Sequence, residues 1–108
     1  MMHHTIAKDA KWRPVFEGVE FAPLNVKDGK GSFLLRFRAG SVCPMHNHPG
    51  GEEIYVVSGK GRLNELAIGT GDFIHTPAGE SHALHAETDV LIHVITPEAV
   101  VFAEKDSK

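Results

Sequence analysis

The sequence predicts an all-β domain, and three observations carry that prediction. Apolar residues recur in short alternating or continuous runs, Gly, Pro, Asn and Asp punctuate them roughly every ten residues, and no stretch sustains a 3.6-residue apolar period. Taken in order, strands are expected at 18–24, 32–38, 42–46, 52–58, 62–67, 72–76, 82–86 and 90–95. In the second of these Phe33, Leu35 and Phe37 alternate with Arg36 and Arg38, which puts the aromatics toward a core and both guanidinium groups toward solvent. Turn chemistry separates the runs: Asp28 to Gly31 reads as a hairpin, Pro49-Gly50-Gly51 as a sharp bend and Gly69-Thr70-Gly71 as another. Short strands at this spacing fit a sandwich or a barrel. After the last run, Thr96 and Pro97 are able to cap one helical turn through Ala103, although Val100 and Val101 suit a strand equally well. The tail 104–108 is expected to fray.

A chain of 108 residues has room for one core, so a single domain over 1–108 is expected. Apolar residues at 42% and charged residues at 23% are those of an ordinary globular chain. A formal net charge of −3 offers no basic surface for nucleic acid or anionic lipid, and no apolar run approaches the length of a membrane span. Cys43 is the lone cysteine and no signal-peptide pattern opens the chain, so a reducing, cytoplasmic location is expected and Cys43 reads as packing. His3 and His4, adjacent at the terminus, read as incidental.

Chemistry concentrates in four residues. His46 and His48 are two apart in an extended segment, so both imidazoles project to one side and reach one ion together. Glu52 supplies a carboxylate and His82 a third imidazole. Each cluster sits in a frame: Gly40, His46, His48, Glu52 and Gly59 in the first, Gly71, Pro77, Gly79 and His82 in the second. These framed clusters resemble the two motifs of the cupin superfamily, here at 40–59 and 71–86. The resemblance implies a small jelly-roll β-barrel with His46, His48, Glu52 and His82 as metal ligands. One position departs: the asparagine that usually closes the second motif is Ala86 here, which touches a polar contact within the barrel rather than the metal. Among cupins, the stretch Trp12 to Gly18 together with His46, His48, Gly50, Gly51, Glu52, Glu53 and Ile54 resembles the cupin-like lobe of zinc anti-sigma factors, and also small stand-alone dioxygenases. No helical lobe is expected ahead of the barrel in this sequence, so direct sigma-factor binding is not expected either.

For the carboxylate, the family spacing admits Glu52 or Glu53, and the distance to Gly59 favours Glu52. If Glu52 points inward, Ile54 and Val56 do too, and on the same alternation Leu84 and Ala86 line the pocket while His85 points outward. His75, His85 and His93 read as structural or surface residues. His93, embedded in an apolar run, must find a hydrogen-bond partner and is also a candidate acid/base near the metal. Three imidazoles and one carboxylate suit Fe, Mn, Ni, Cu or Zn, one divalent ion per chain. An ion with open positions fits a dioxygenase-type oxidoreductase acting on a small organic molecule. The alternative is a non-catalytic module that binds or senses a small ligand. The resemblance further implies a homodimer, with Tyr55 and Val57 on an outer sheet face.

Overall fold

The computed structural model describes residues 1–102. Within them the chain runs through a 3-10 turn at Ala7–Asp9 and then β1 (Arg13–Phe16), β2 (Val19–Lys27), β3 (Lys30–Phe37), β4 (Val42–Asn47), β5 (Glu52–Ser58), β6 (Lys60–Leu63), β7 (Leu66–Gly69), β8 (Phe73–Thr76), β9 (Ser81–Ala86), β10 (Val90–Thr96) and β11 (Val101–Phe102). Every described pairing is antiparallel. One sheet has the order β1-β2-β3-β10-β5-β8 and the other β11-β4-β9-β6-β7. Non-consecutive neighbours such as β3 and β10 are the long returns of a jelly roll.

Both sheets contribute inward side chains to one core. Val19, Phe37, Ile54, Val56, Val90, Ile92 and Val94 come from the first, Cys43, Leu63, Ile68, Leu84 and Ala86 from the second. Full burial of side chains such as Ile54 and Ile92 contributes roughly 1.5–3 kcal/mol each. In β5 the alternation is strict where it matters: Glu52, Ile54 and Val56 are buried, while Glu53, Tyr55 and Val57 are exposed. The register of β5 on β8 then sets Glu52 opposite Thr76.

Three expectations need correction. The run 62–67 is two strands, β6 and β7, joined at Asn64-Glu65. Asn64 takes a left-handed φ of 52°, and it replaces strand pairing there: its side-chain Oδ1 accepts from the Ala83 N–H at 3.0 Å and its backbone N–H donates to the Ala83 carbonyl at 2.9 Å. Strand β1 escaped the sequence reading because Pro14 interrupts it. A proline is tolerated there because β1 lies at the edge of its sheet. No helical turn follows Thr96, which ends β10. Residues 97–100 are irregular and 101–102 pair with β4, while Ala103 and the tail 104–108 lie outside the described residues.

Glycine is demanded at Gly59, between β5 and β6. Its φ is +98°, and a Cβ there would run into the Asp89 carbonyl oxygen and lie 2.9 Å from the Val90 Cα. Gly59→Ala therefore combines positive-φ strain with backbone overlap, and is expected to lower unfolding free energy by about 1–3 kcal/mol, read by urea denaturation. An unchanged midpoint would show that the turn relaxes freely.

Candidate metal centre

A bulge in β4 sets the geometry of the site. Cys43 pairs with Leu84 and His46 with His82, so β4 carries one more residue than β9 between those pairs. The extra residue lies at Pro44-Met45, where proline has no N–H to offer a ladder. It shifts the parity of the strand, so that Cys43 and His46, three apart, are both buried. The next turn brings in His48, whose backbone ties the two motif loops together. Its N–H donates to the Glu80 carbonyl at 3.1 Å, and its carbonyl accepts from Gly79 at 2.7 Å and Gly51 at 3.0 Å. Asn47 adds a bond from Nδ2 to the Gly79 carbonyl at 2.8 Å.

His46, His48, Glu52 and His82 are all buried, and one potential ligand atom from each lies within 4.8 Å of the others. The ring centroids of the three imidazoles are 4.3–4.8 Å apart at tilts of 58–83°, so the rings converge without stacking. Their outer nitrogens are all occupied. His46 Nδ1 lies 2.7 Å from the Pro44 carbonyl oxygen and His48 Nδ1 3.2 Å from that of Glu80. A carbonyl only accepts, so both Nδ1 atoms carry the proton and both Nε2 atoms turn a lone pair inward. His82 Nδ1 meets the Thr76 hydroxyl at 3.3 Å, a partner that can donate or accept, and its Nε2 faces Glu52.

The donor set fits a metal cation. His48 Nε2 and His82 Nε2 lie 3.2 and 3.1 Å from Glu52 Oε1, yet His48 Nε2 and Glu52 Oε1 complete no well-aligned hydrogen bond among the described residues. A nitrogen lone pair aimed at a carboxylate oxygen repels it unless a cation or a proton stands between them, and buried atoms of this kind are costly when unsatisfied. The electrostatics favour a metal over extra protons. Burial is the main force that pushes the His46 pKa down to about 4, with His48 and His82 adding to it against the opposing Pro44 carbonyl and Glu52. For Glu52 burial works in the other direction and raises the pKa, but its contacts with His48 and His82 outweigh it and hold the carboxyl below its ordinary value. At neutral pH the cluster thus presents an ionised carboxylate and a neutral His46, the forms that bind a divalent ion.

A cavity of about 760 Å³ opens beside the cluster. His46 and Glu52 stand in its wall, with Phe21, Phe33, Leu35 and Thr96 around them. Leu84 and Ala86, expected to line the pocket, and Ile54 and Val56, expected to point inward with Glu52, are all packed in the core, and the apolar wall comes from β2 and β3. Glu52 is in the cluster and Glu53 is exposed. His75 and His85 are exposed, and His93 is outside the cluster: it pairs across the sheet with Tyr55 and Leu34 and bonds Ser32 Oγ at 2.6 Å. Cys43 is buried with Sγ 3.9 Å from His46 Nδ1. Arg36 is held on the outer face by Glu20 at 2.6 Å and by the Trp12 ring. Among the described residues this is the one His/Cys/Asp/Glu group close enough to hold a metal, and His3 is instead bonded to Thr5 and Leu24.

Thr76 was not foreseen, because its role depends on the β5–β8 register. Thr76→Val removes the hydroxyl at His82 Nδ1 and keeps the shape. Metal affinity is expected to fall roughly 10- to 100-fold by competition with a chromophoric chelator. An unaltered affinity would show that the β9 backbone alone aims His82.

Residues 2–99 match the family model described as the ChrR cupin-like domain. The chain is 32% identical over 90 residues to the DNA damage-repair/toleration protein DRT102 of Arabidopsis thaliana, a match that covers 68% of this chain and 29% of that protein. It is similar in structure to a chain of the Rhodobacter sphaeroides SigE complex with the anti-sigma ChrR, with a TM-score of 0.74 and 28% identity over 82% of this chain and 50% of that one. The polyketide cyclase RemF of Streptomyces resistomycificus shares the fold with a TM-score of 0.76 and 21% identity, covering 94% of this chain and 79% of that one. The chain thus spans half or less of the first two relatives.

Proposed function

This chain belongs to the ChrR cupin-like domain family, and from that premise we propose that it is a metal-dependent enzyme, a dioxygenase-type oxidoreductase acting on a small organic molecule. One observation carries the reading: His46 and Glu52, two of the four converging residues, stand in the wall of the apolar cavity. A structural zinc site is closed on all sides by protein, whereas a site that faces a cavity leaves room for a reactant. In this reading His46, His48, Glu52 and His82 hold one divalent ion. Such an ion, when bound, supplies Lewis acidity and, if redox-active, electrons for dioxygen. The chain's own residues do the rest. Pro44, Glu80 and Thr76 fix the three imidazoles, Glu52 offsets part of the ionic charge, and Phe21, Phe33 and Leu35 hold the organic body and keep bulk water out. Lone, buried Cys43 suits a reducing, cytoplasmic setting.

A second reading has its own support in the likeness to the chain from the anti-sigma ChrR complex: a non-catalytic module whose metal orders the barrel and receives a small ligand. Elemental analysis of protein purified without added metal, followed by oxygen uptake on the iron-, manganese-, nickel- and copper-loaded forms with diketones and phenols, separates the two. Metal-dependent oxygen uptake supports the enzyme; stoichiometric zinc with no uptake by any loaded form supports the sensor; failure to take up any metal removes both. The exposed apolar face of Tyr55, Val57, Phe73 and Ile95 fits a homodimer, and a monomeric sedimentation profile would remove that part.

A further inference from the structure

Thr96 is 1% exposed, yet its hydroxyl oxygen has no hydrogen-bond partner among the described residues. Buried hydroxyls are normally satisfied, and an unsatisfied one marks a position where something else is expected to bind. Its place in the fold says what. The β10–β5 ladder ends at the Ile95–Glu53 pair, and the next residue of each strand, Thr96 and Glu52, is buried and stands in the wall of the same cavity. Two buried threonines thus accompany Glu52, Thr76 opposite it in β8 and Thr96 in the same cavity wall: Thr76 is engaged with His82, and the Thr96 hydroxyl is not.

We propose that Thr96 is a ligand-positioning residue whose hydroxyl donates to the oxygen head of a small organic anion with an aromatic or branched apolar body. This rests on the metal reading above. The anionic head follows from charge: three neutral imidazoles and one carboxylate around a divalent ion leave one net positive charge in a buried site, which a monoanion cancels. Arg13, over the Phe21 ring at 5.0 Å from its centroid, adds positive charge in the cavity wall. The apolar body follows from Phe21, Phe33, Leu35 and Val26, which line the remaining space. The cavity's volume of about 760 Å³ lies in the range of small-molecule sites.

The test uses the full chain loaded with Co(II), phenylacetate as probe, and acetate and phenylacetamide as comparators lacking the ring or the charge. Titration calorimetry and the visible Co(II) spectrum report binding. Phenylacetate is expected to bind wild type and perturb the spectrum, with both comparators at least roughly tenfold weaker. Thr96→Val is expected to weaken phenylacetate roughly tenfold or more, the loss of a hydrogen bond to a charged group, with Co(II) affinity unchanged. Thr96→Ser, which restores the hydroxyl, is expected to rescue binding. The apo Thr96→Val protein is expected to melt no lower than wild type, because it loses an unsatisfied group. Equal phenylacetate binding by wild type and Thr96→Val, no binding by Co(II)-loaded wild type, or a lowered apo melting temperature would each overturn the proposal while leaving the metal site standing. No Co(II) uptake by wild type would overturn both.

Discussion

His48→Ala and His82→Ala are each expected to abolish stoichiometric metal binding, with affinity reduced by more than the 100-fold at the upper end for a supporting residue. Each removes one of three converging imidazoles at a point where the protein has no substitute, since no other His, Cys, Asp or Glu among the described residues joins the cluster. Ligand-linked stabilisation goes with it. A site that is filled at 1,000 times its Kd adds about 4 kcal/mol to folding, so metal should raise the melting temperature of wild type and not of either variant. His85→Ala is the control, being exposed one strand position from Leu84. Glu52→Ala and Glu53→Ala divide in the same way: the first loses metal and the second keeps it. Full occupancy in His82→Ala, measured by elemental analysis per chain, would falsify the ligand assignment.

The apoprotein is expected to lose stability on acidification between about pH 6.5 and pH 4, by up to about 3 kcal/mol from His46. The sign follows from the direction of the shift. Folded His46 has its pKa lowered from 6.5 to about 4, chiefly by burial, so in this window the unfolded chain takes up a proton that the native chain refuses. The stabilisation is present above pH 6.5 and is lost as pH falls toward 4. Urea midpoints of the apoprotein across that range test it. His46→Gln should flatten the pH slope even if it lowers the plateau; an equal slope in the variant would place the titration elsewhere. Glu52 acts in the same direction at lower pH, since its carboxyl is held below the ordinary value by His48 and His82 against the effect of burial.

Much of this was legible in the sequence because it depended on local rules. Alternation in β5 separated Ile54 and Val56 from Tyr55 and Val57 without any knowledge of the partner strands, and the Gly and Pro positions marked most turns. The ligand candidates were legible for a similar reason, being fixed by spacing within two short segments. What escaped were pairings between distant segments. Thr76 gains its meaning only from lying opposite Glu52, and Thr96 from sharing a cavity wall with it, arrangements that no local pattern encodes. Asn64 broke a strand because its amide met β9, and β1 was hidden by a proline whose edge position was not visible in one dimension. The pocket wall moved from β5 and β9 to β2 and β3 because the core consumed Ile54, Val56 and Leu84.

The three hydrogen bonds at the His48 backbone have a kinetic consequence. Two of them, to the Glu80 carbonyl and from the Gly79 N–H, join the β4–β5 turn to the β8–β9 turn, and the third, from Gly51, closes the β4–β5 turn on itself. If the site holds an ion as proposed, the open side left to it is the apolar cavity lined by His46 and Glu52. A molecule lodged there would stand across that side. Under the proposed function, exchange of the ion is expected to slow as the cavity fills, so that the lifetime of the metal would be set by the small molecule and not by the protein alone.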